Sequence, residues 1–175
     1  MNMNGPVSER NIETKRLILR PFALDDAQAM FDNWASDDAV TKFLTWPTHQ
    51  SVADTRAVLA QWVESQSMEW AIVPKEMGEP VGSIGVVDDQ GDEVEVGYCL
   101  SRAAWGKGYA AEALNALIEW LFAHGVSRVL AKHDVENPNS GRVMQKAGMR
   151  YWESRAGGVV NHLGRRDVVV YVREK

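Results

Sequence analysis

The sequence predicts a mixed α/β fold (class α+β). About four helices flank a mixed, mostly antiparallel sheet of six to seven strands. Several short runs alternate apolar and polar residues, as half-buried strands do. One longer stretch has the apolar spacing of a helix packed on one face, and it lies between two of these strands, which we therefore expect to run parallel. The 175 residues suit a single domain covering 1–175.

The first half of the chain begins with residues 1–13, which we expect to be a flexible lead. Ser51-x-x-Asp54 is an acidic variant of the capping box and predicts the start of a helix. The elements predicted here are a strand at 15–21, a helix from Asp25 to about Ser36, a further turn at 40–44, a loop at 45–49 and a helix from 51 to about 67.

The second half begins with three consecutive strands that we expect to be antiparallel. Two helices that alternate with further strands follow them. The apolar stripe of the longer helix is Ala110, Ala113, Leu114, Leu117, Ile118 and Leu121, and His124-Gly125 ends it. The predicted strands are 69–73, 81–87, 93–100, 128–135, 149–154 and 167–173, with a short helix at 140–147 and a turn at Gly157-Gly158.

Composition excludes several classes of function. A net charge of −5 argues against a general nucleic-acid surface. The chain has neither an apolar signal core at its start nor a run of 18 apolar residues, so we expect no membrane segment. Cys99 is the only cysteine, which suits a reducing cytoplasm, and four histidines without metal-ligand spacing predict no metal site.

The central feature is the join between the strand 93–100 and the long helix, Trp105-Gly106-Lys107-Gly108-Tyr109-Ala110. Two glycines let the backbone pass close to a ligand, and the first helical turn directs unpaired N–H groups at it, so the join suits a phosphate or diphosphate. It is not a Walker A loop. Gly106 to Ala111 fits the loose dinucleotide fingerprint G-x-G-x-x-A, but the preceding strand alternates instead of being apolar on both faces.

Three ordered stretches resemble the GNAT superfamily of acetyl-CoA-dependent N-acetyltransferases, in its RimJ/RimL-like branch. They are Thr14-x-Arg16-Leu17-x-Leu19-Arg20, then Glu95-Val96-Gly97-Tyr98-Cys99-Leu100 with Trp105-x-x-Gly108-x-Ala110 and Glu112-Ala113, and finally Asn137-x-x-Ser140-x-x-Val143-Met144-x-Lys146-x-Gly148-Met149. Trp105 stands where most of the superfamily has Gln or Arg.

The resemblance implies a GNAT fold whose sheet is splayed at the centre, and acetyl-CoA as cosubstrate. The pantetheine arm would lie in the splay and pair with the central strand as an extra strand would. The implied cofactor-binding residues are Cys99 and Leu100 through their backbone, the loop Trp105, Gly106, Lys107, Gly108, Tyr109, Ala110 and Ala111, and Asn137 and Ser140.

Acyl transfer to an amine needs a neutral amine, a polarised thioester and a proton for the departing thiolate. Ser140 is the candidate acid, because Met144 stands where many family members have a tyrosine; it would also suit the N-cap of its helix. Glu95 is the candidate base, acting through a water, with a salt-bridge role as the alternative. Trp46 precedes a proline in a loop and is a candidate wall of the substrate pocket.

The sequence therefore predicts an N-acetyltransferase that moves an acetyl group to a primary amine by direct attack in a ternary complex. The acceptor is a small molecule or a protein N-terminal amine, and dimerisation is common in the family. Two alternatives stay open at this point: a CoA-binding module without turnover, and a dinucleotide-binding oxidoreductase.

Overall fold

A computed structural model describes residues 10–175, which form one eight-stranded sheet in the order β1-β2-β3-β4-β5-β6-β8-β7. All neighbouring strands are antiparallel except β5 and β6, which flank the longest helix and run parallel as expected. The strands are β1 (Ile12–Glu13), β2 (Leu17–Pro21), β3 (Glu69–Pro74), β4 (Gly82–Asp89), β5 (Glu93–Leu100), β6 (Arg128–Asp134), β7 (Arg150–Asn161) and β8 (Gly164–Glu174).

Five helices cover the two faces of the sheet: α1 (Ala27–Met30), α2 (Asp38–Thr41), α3 (Val52–Glu64), α4 (Tyr109–Ala123) and α5 (Pro138–Lys146). The stripe of α4 is buried against alternate residues of β5 such as Val94 and Val96, and α5 adds Met144 to the same core. The opposite face packs on α1 and α3, and Cys99 of β5 belongs to that second core. Successive residues of β5 therefore face different helix layers.

The sheet opens between β5 and β6. Their parallel pairing runs from Glu93 with Arg128 only as far as Val96 with Ala131, although both strands continue beyond that point. Residues 97–100 and 132–134 thus border a gap in the middle of the sheet. This gap is the central splay that the resemblance implied.

Three local predictions differ from the structure. Residues 1–9 lie outside the described part of the chain, but Ile12–Glu13 pairs with β2 and Arg10 is buried, so the end of the expected lead is ordered. Gly157 and Gly158 lie inside β7 at a shift of register, and the hairpin instead turns between Asn161 and Gly164. The helix predicted from Asp25 to about Ser36 is present but is not α-helical throughout: a 3-10 turn over Leu24–Asp26 leads into α1, which continues as a π-helix over Phe31–Ala35.

Candidate active site

A cavity of about 730 Å³ passes through the gap between β5 and β6. Side chains from both faces line it: Glu69, Glu95 and Cys99 on the face of α1–α3, and Tyr98 and Ser140 on the face of α4 and α5. Asn137 and Trp46 also belong to its lining, whereas the loop 105–111 does not. The cavity thus connects the two faces at the one place where the sheet is open.

The loop between β5 and α4 has the backbone form that the sequence predicted. Gly106 and Gly108 have φ of +75° and +80°, which favour glycine, and no side chain caps the N-terminus of α4. The side chains of Tyr109 and Ala110 are buried, so these residues have only backbone N–H groups for a ligand. An exposed loop whose N–H groups begin a helix fits the diphosphate of CoA.

A clasp formed by Thr14, Arg16 and Glu112 holds this loop to the start of β2. The Glu112 carboxylate accepts hydrogen bonds from Thr14 Oγ1 at 2.7 Å and from the Arg16 amide at 3.0 Å, and it pairs with Arg16 Nε at 2.7 Å. Arg16 Nη1 also donates to the Lys107 carbonyl oxygen at 2.8 Å. The first and second of the recognised sequence stretches therefore meet at this clasp.

The backbone direction of β5 decides which peptide groups face the gap. Ser101 N–H donates to Val81 O at 2.7 Å, on the side of β4. Because backbone groups of a strand alternate in direction, those of Cys99 also point to β4, while those of Tyr98 and Leu100 point into the gap. Trp105 Nε1 donates to the Leu100 carbonyl at 2.9 Å, which leaves the Leu100 N–H directed there. The geometry favours Tyr98 and Leu100 over Cys99 as partners of an added strand.

Ser140 lies on the α5 side of the gap, next to a tyrosine that the sequence did not single out as functional. The Tyr98 hydroxyl oxygen is 2.8 Å from Ser140 Oγ and donates to the Ser140 carbonyl at 2.9 Å. Burial raises the pKa of Tyr98, so its hydroxyl stays protonated. The N-cap of α5 is Asn137 with Pro138 following it, so Ser140 does not have the capping role considered from the sequence.

Glu95 lines the cavity on the α1–α3 side, and Lys132 on β6 contacts it. Lys132 Nζ and Glu95 Oε1 are 2.8 Å apart, and both side chains are largely buried. This is the salt bridge that the sequence left as the alternative role of Glu95. One of the two Glu95 carboxylate oxygens is therefore already in contact with an ammonium group.

Aromatic side chains form the wall of the cavity opposite the sheet. Trp46, Trp62 and Phe43 line it, and the Trp46 ring lies 5.1 Å from the ring of His49. Burial lowers the pKa of His49, and its Nδ1 is 2.7 Å from Thr55 Oγ1 on α3. A neutral, hydrogen-bonded imidazole therefore fixes the loop that carries Trp46.

Glu69 is a cavity residue that sequence reasoning missed. It begins β3, where an acidic residue is usually solvent-facing, yet burial raises its pKa to about 8. Cys99 on β5 is likewise affected, since burial raises the pKa of its thiol to about 11. That thiol is therefore neutral near pH 7, which agrees with a packing role for Cys99.

Comparisons with known proteins agree with this geometry. Residues 16–150 match the family model described as acetyltransferase (GNAT) domain. An uncharacterised N-acetyltransferase p20 of Bacillus licheniformis is 32% identical over 161 residues, covering 85% of this chain and 90% of that protein. The crystal structure of a GNAT-family acetyltransferase from Bacillus anthracis superposes with a TM-score of 0.85 and 25% identity, covering 94% and 98% of the two chains.

A second similar structure contains a ligand. It is RimL, a ribosomal L7/L12 alpha-N-protein acetyltransferase in complex with coenzyme A, with a TM-score of 0.81, 18% identity and coverage of 94% of this chain and 98% of that one. At this identity the likeness concerns the fold. Over the part of this chain that the structure covers, no helix is long and apolar enough to cross a membrane, and no cluster of His, Cys, Asp and Glu suits a metal ion.

Proposed function

This chain belongs to the GNAT family and is an acetyl-CoA-dependent N-acetyltransferase, and from this premise we propose that its two substrates meet from opposite faces of the sheet. The single observation that carries the proposal is the cavity through the gap between β5 and β6, lined from both faces. The acetyl group passes by direct attack in a ternary complex. Both substrates are then bound before any bond changes.

The α4 and α5 side binds acetyl-CoA. N–H groups of the loop 105–111 hold the diphosphate, with Lys107 as a mobile positive charge, and Asn137 bonds the amides of the arm. The peptide groups of Tyr98 and Leu100 pair with the arm in the gap. The Leu100 N–H, which points into the gap, polarises the thioester carbonyl.

Ser140 gives a proton to the sulfur as the C–S bond breaks. Tyr98 supports this step because its hydroxyl is 2.8 Å from Ser140 Oγ and holds the serine in place. The position at which many family members have a tyrosine is occupied here by Met144, whose side chain is buried in the core. The proton therefore reaches sulfur through the Tyr98–Ser140 pair.

The α1–α3 side binds the acceptor, which we propose is the primary amine of a small molecule. The aromatic wall of Trp46, Trp62 and Phe43 suits a compact apolar body. Glu95, the candidate base named from the sequence, also lies on this side, and Lys132 Nζ contacts one of its carboxylate oxygens. The RimJ/RimL-like motifs and the lone Cys99 support placing the enzyme in that branch and in the cytoplasm.

The test is steady-state thiol release from acetyl-CoA with a panel of primary amines: 2-phenylethylamine, tryptamine, hexylamine, spermidine and a tripeptide with a free N-terminus. We expect intersecting initial-velocity lines and the highest rates with the three apolar amines. Trp46→Ala should raise the KM of the amine and leave the KM of acetyl-CoA unchanged. Parallel initial-velocity lines would contradict the ternary complex. A preference for the tripeptide would contradict the small-molecule acceptor.

A further inference from the structure

Glu69 lies beside the gap, and its carboxylate occupies space left by a glycine on the neighbouring strand. Its register partner on β4 is Gly85, and the partner of Gly85 on β5 is Gly97. Residues paired across strands share a face, so the carboxylate projects over Gly85 toward Gly97. A Cβ on Gly85 would collide with the carboxyl carbon and both carboxyl oxygens of Glu69. The absence of a side chain at Gly85 therefore gives the carboxylate its place.

Glu69 also differs from the other carboxylates that line the cavity. Lys132 pairs with Glu95, Arg166 pairs with Asp134, and Gln90 donates to Asp88. Within residues 10–175, no donor bonds the Glu69 carboxylate. Its oxygens are thus available to a ligand in the cavity, whereas each of the other three carboxylates already contacts a donor on a neighbouring side chain.

We propose that Glu69, rather than Glu95, takes the proton from the acceptor, and that the acceptor is a primary ammonium on an uncharged aromatic or aliphatic body. This rests on the proposed function and names the base and substrate class of the same site. The ammonium pairs with the Glu69 carboxylate, and the aromatic wall opposite, with Trp46 and Trp62, packs the body.

The proton balance is complete. The Glu69 carboxylate accepts one proton from the ammonium and later releases it to water. The neutral amine then attacks the acetyl carbonyl carbon, the C–N bond forms, and the C–S bond breaks with its electron pair going to sulfur. The nitrogen loses a second proton to water, the sulfur gains one from Ser140, and the Ser140 oxygen is reprotonated from water through Tyr98. The products are one amide, one thiol and one proton in water.

The electrostatic surroundings suit this role. Burial raises the pKa of Glu69 to about 8, near the pH at which the enzyme has to deprotonate an amine. The charged groups around it are Asp88 from β4, the Glu95–Lys132 pair from β5 and β6, and Arg10 on its far side, which donates to the Gln66 carbonyl. The Cys99 thiol beside it is neutral.

The experiment compares Glu69→Gln, Glu95→Gln and Gly85→Ala with wild type, using the fastest amine of the panel. Glu64→Gln, at the exposed end of α3, is the matched control. We expect Glu69→Gln to lower kcat by about 100-fold or more, with the KM of acetyl-CoA unchanged, and Glu95→Gln to lower it much less. Gly85→Ala should give an intermediate loss, because the new methyl group displaces the carboxylate without removing it.

A purely structural role for Glu69 would not change the pH profile. The wild-type rate should rise with pH through about 8, because the carboxylate acts only when ionised, and this rise should disappear in Glu69→Gln. Carboxyl-carbon NMR should show one glutamate titrating near the same pH, and that signal should be lost in the variant.

The inference is overturned if Glu69→Gln keeps the wild-type rate, if its pH profile keeps the same rise, or if the NMR signal is absent from wild type. If wild type itself releases no thiol with any amine of the panel, the proposed function fails and the inference fails with it. That failure is distinguishable, because it appears in wild type and not only in a variant.

Discussion

Replacing Gly108 by alanine tests whether the loop before α4 holds the diphosphate of CoA. Gly108 has φ of +80° and precedes the first turn of α4, and an added Cβ would lie 3.3 Å from Arg16 Nη2. Gly91, in the turn before β5, has φ of +85° and nothing within 4 Å of an added Cβ. Gly91→Ala is therefore a control with the same backbone strain far from the site.

Both variants should lose stability by a similar amount. A left-handed conformation costs a residue with a Cβ roughly 1–2 kcal/mol. For a domain of this size, each kcal/mol lowers Tm by about 2–4 °C, so we expect a decrease of about 2–8 °C in each case. Thermal unfolding followed by circular dichroism measures this.

Only Gly108→Ala should weaken CoA binding. Its backbone relieves the strain by shifting, which misdirects an N–H group of the first turn away from the diphosphate. One hydrogen bond to a charged group is worth about 1.5–3 kcal/mol, so Kd for CoA should rise roughly 10- to 150-fold by calorimetry. Equal CoA affinity in the two variants would refute the assignment of the diphosphate to this loop.

Three further outcomes follow from the structure. Tyr98→Phe and Ser140→Ala should each lower kcat by about 10-fold or more, and the double variant should lose little beyond one of them, as a kinetic double-mutant cycle would show. Burial alone would raise the pKa of Glu112, but hydrogen bonds from the clasp outweigh it and lower the pKa. Because a lowered pKa stabilises the fold above the unfolded-state value, Glu112→Gln should cost about 1–2 kcal/mol at neutral pH, and the difference should shrink in urea titrations as the pH falls below about 4.5. Leu114→Ala on the fully buried stripe of α4 should cost about 2–5 kcal/mol of unfolding free energy, and a loss within error of zero would contradict the packing of α4.

Local patterns in the sequence predicted those elements whose cause is local. The capping box at Ser51 and Asp54 is formed as expected, with the Ser51 amide donating to Asp54 Oδ2 at 3.0 Å. The apolar stripe of α4 is buried along its whole length, since i, i+3 and i+4 spacing alone defines such a face. The glycine loop was recognisable for the same reason: its backbone form depends on consecutive residues.

Elements with non-local causes were missed. Ile12–Glu13 is too short to be recognised as a strand and exists because β2 pairs with it. Gly157 and Gly158 have turn composition but lie within β7, where the side chains of Arg165 and Val168 approach them closely. Glu69 was missed because Gly85, on another strand, creates the space for its carboxylate.

The opening between β5 and β6 also has a consequence for inhibitor design. Because the cavity is lined continuously from both faces, one compound could join the two ligands by a short tether threaded through the sheet. Each half would raise the effective concentration of the other to the millimolar range or above, so its affinity should exceed that of either fragment by roughly 100-fold or more.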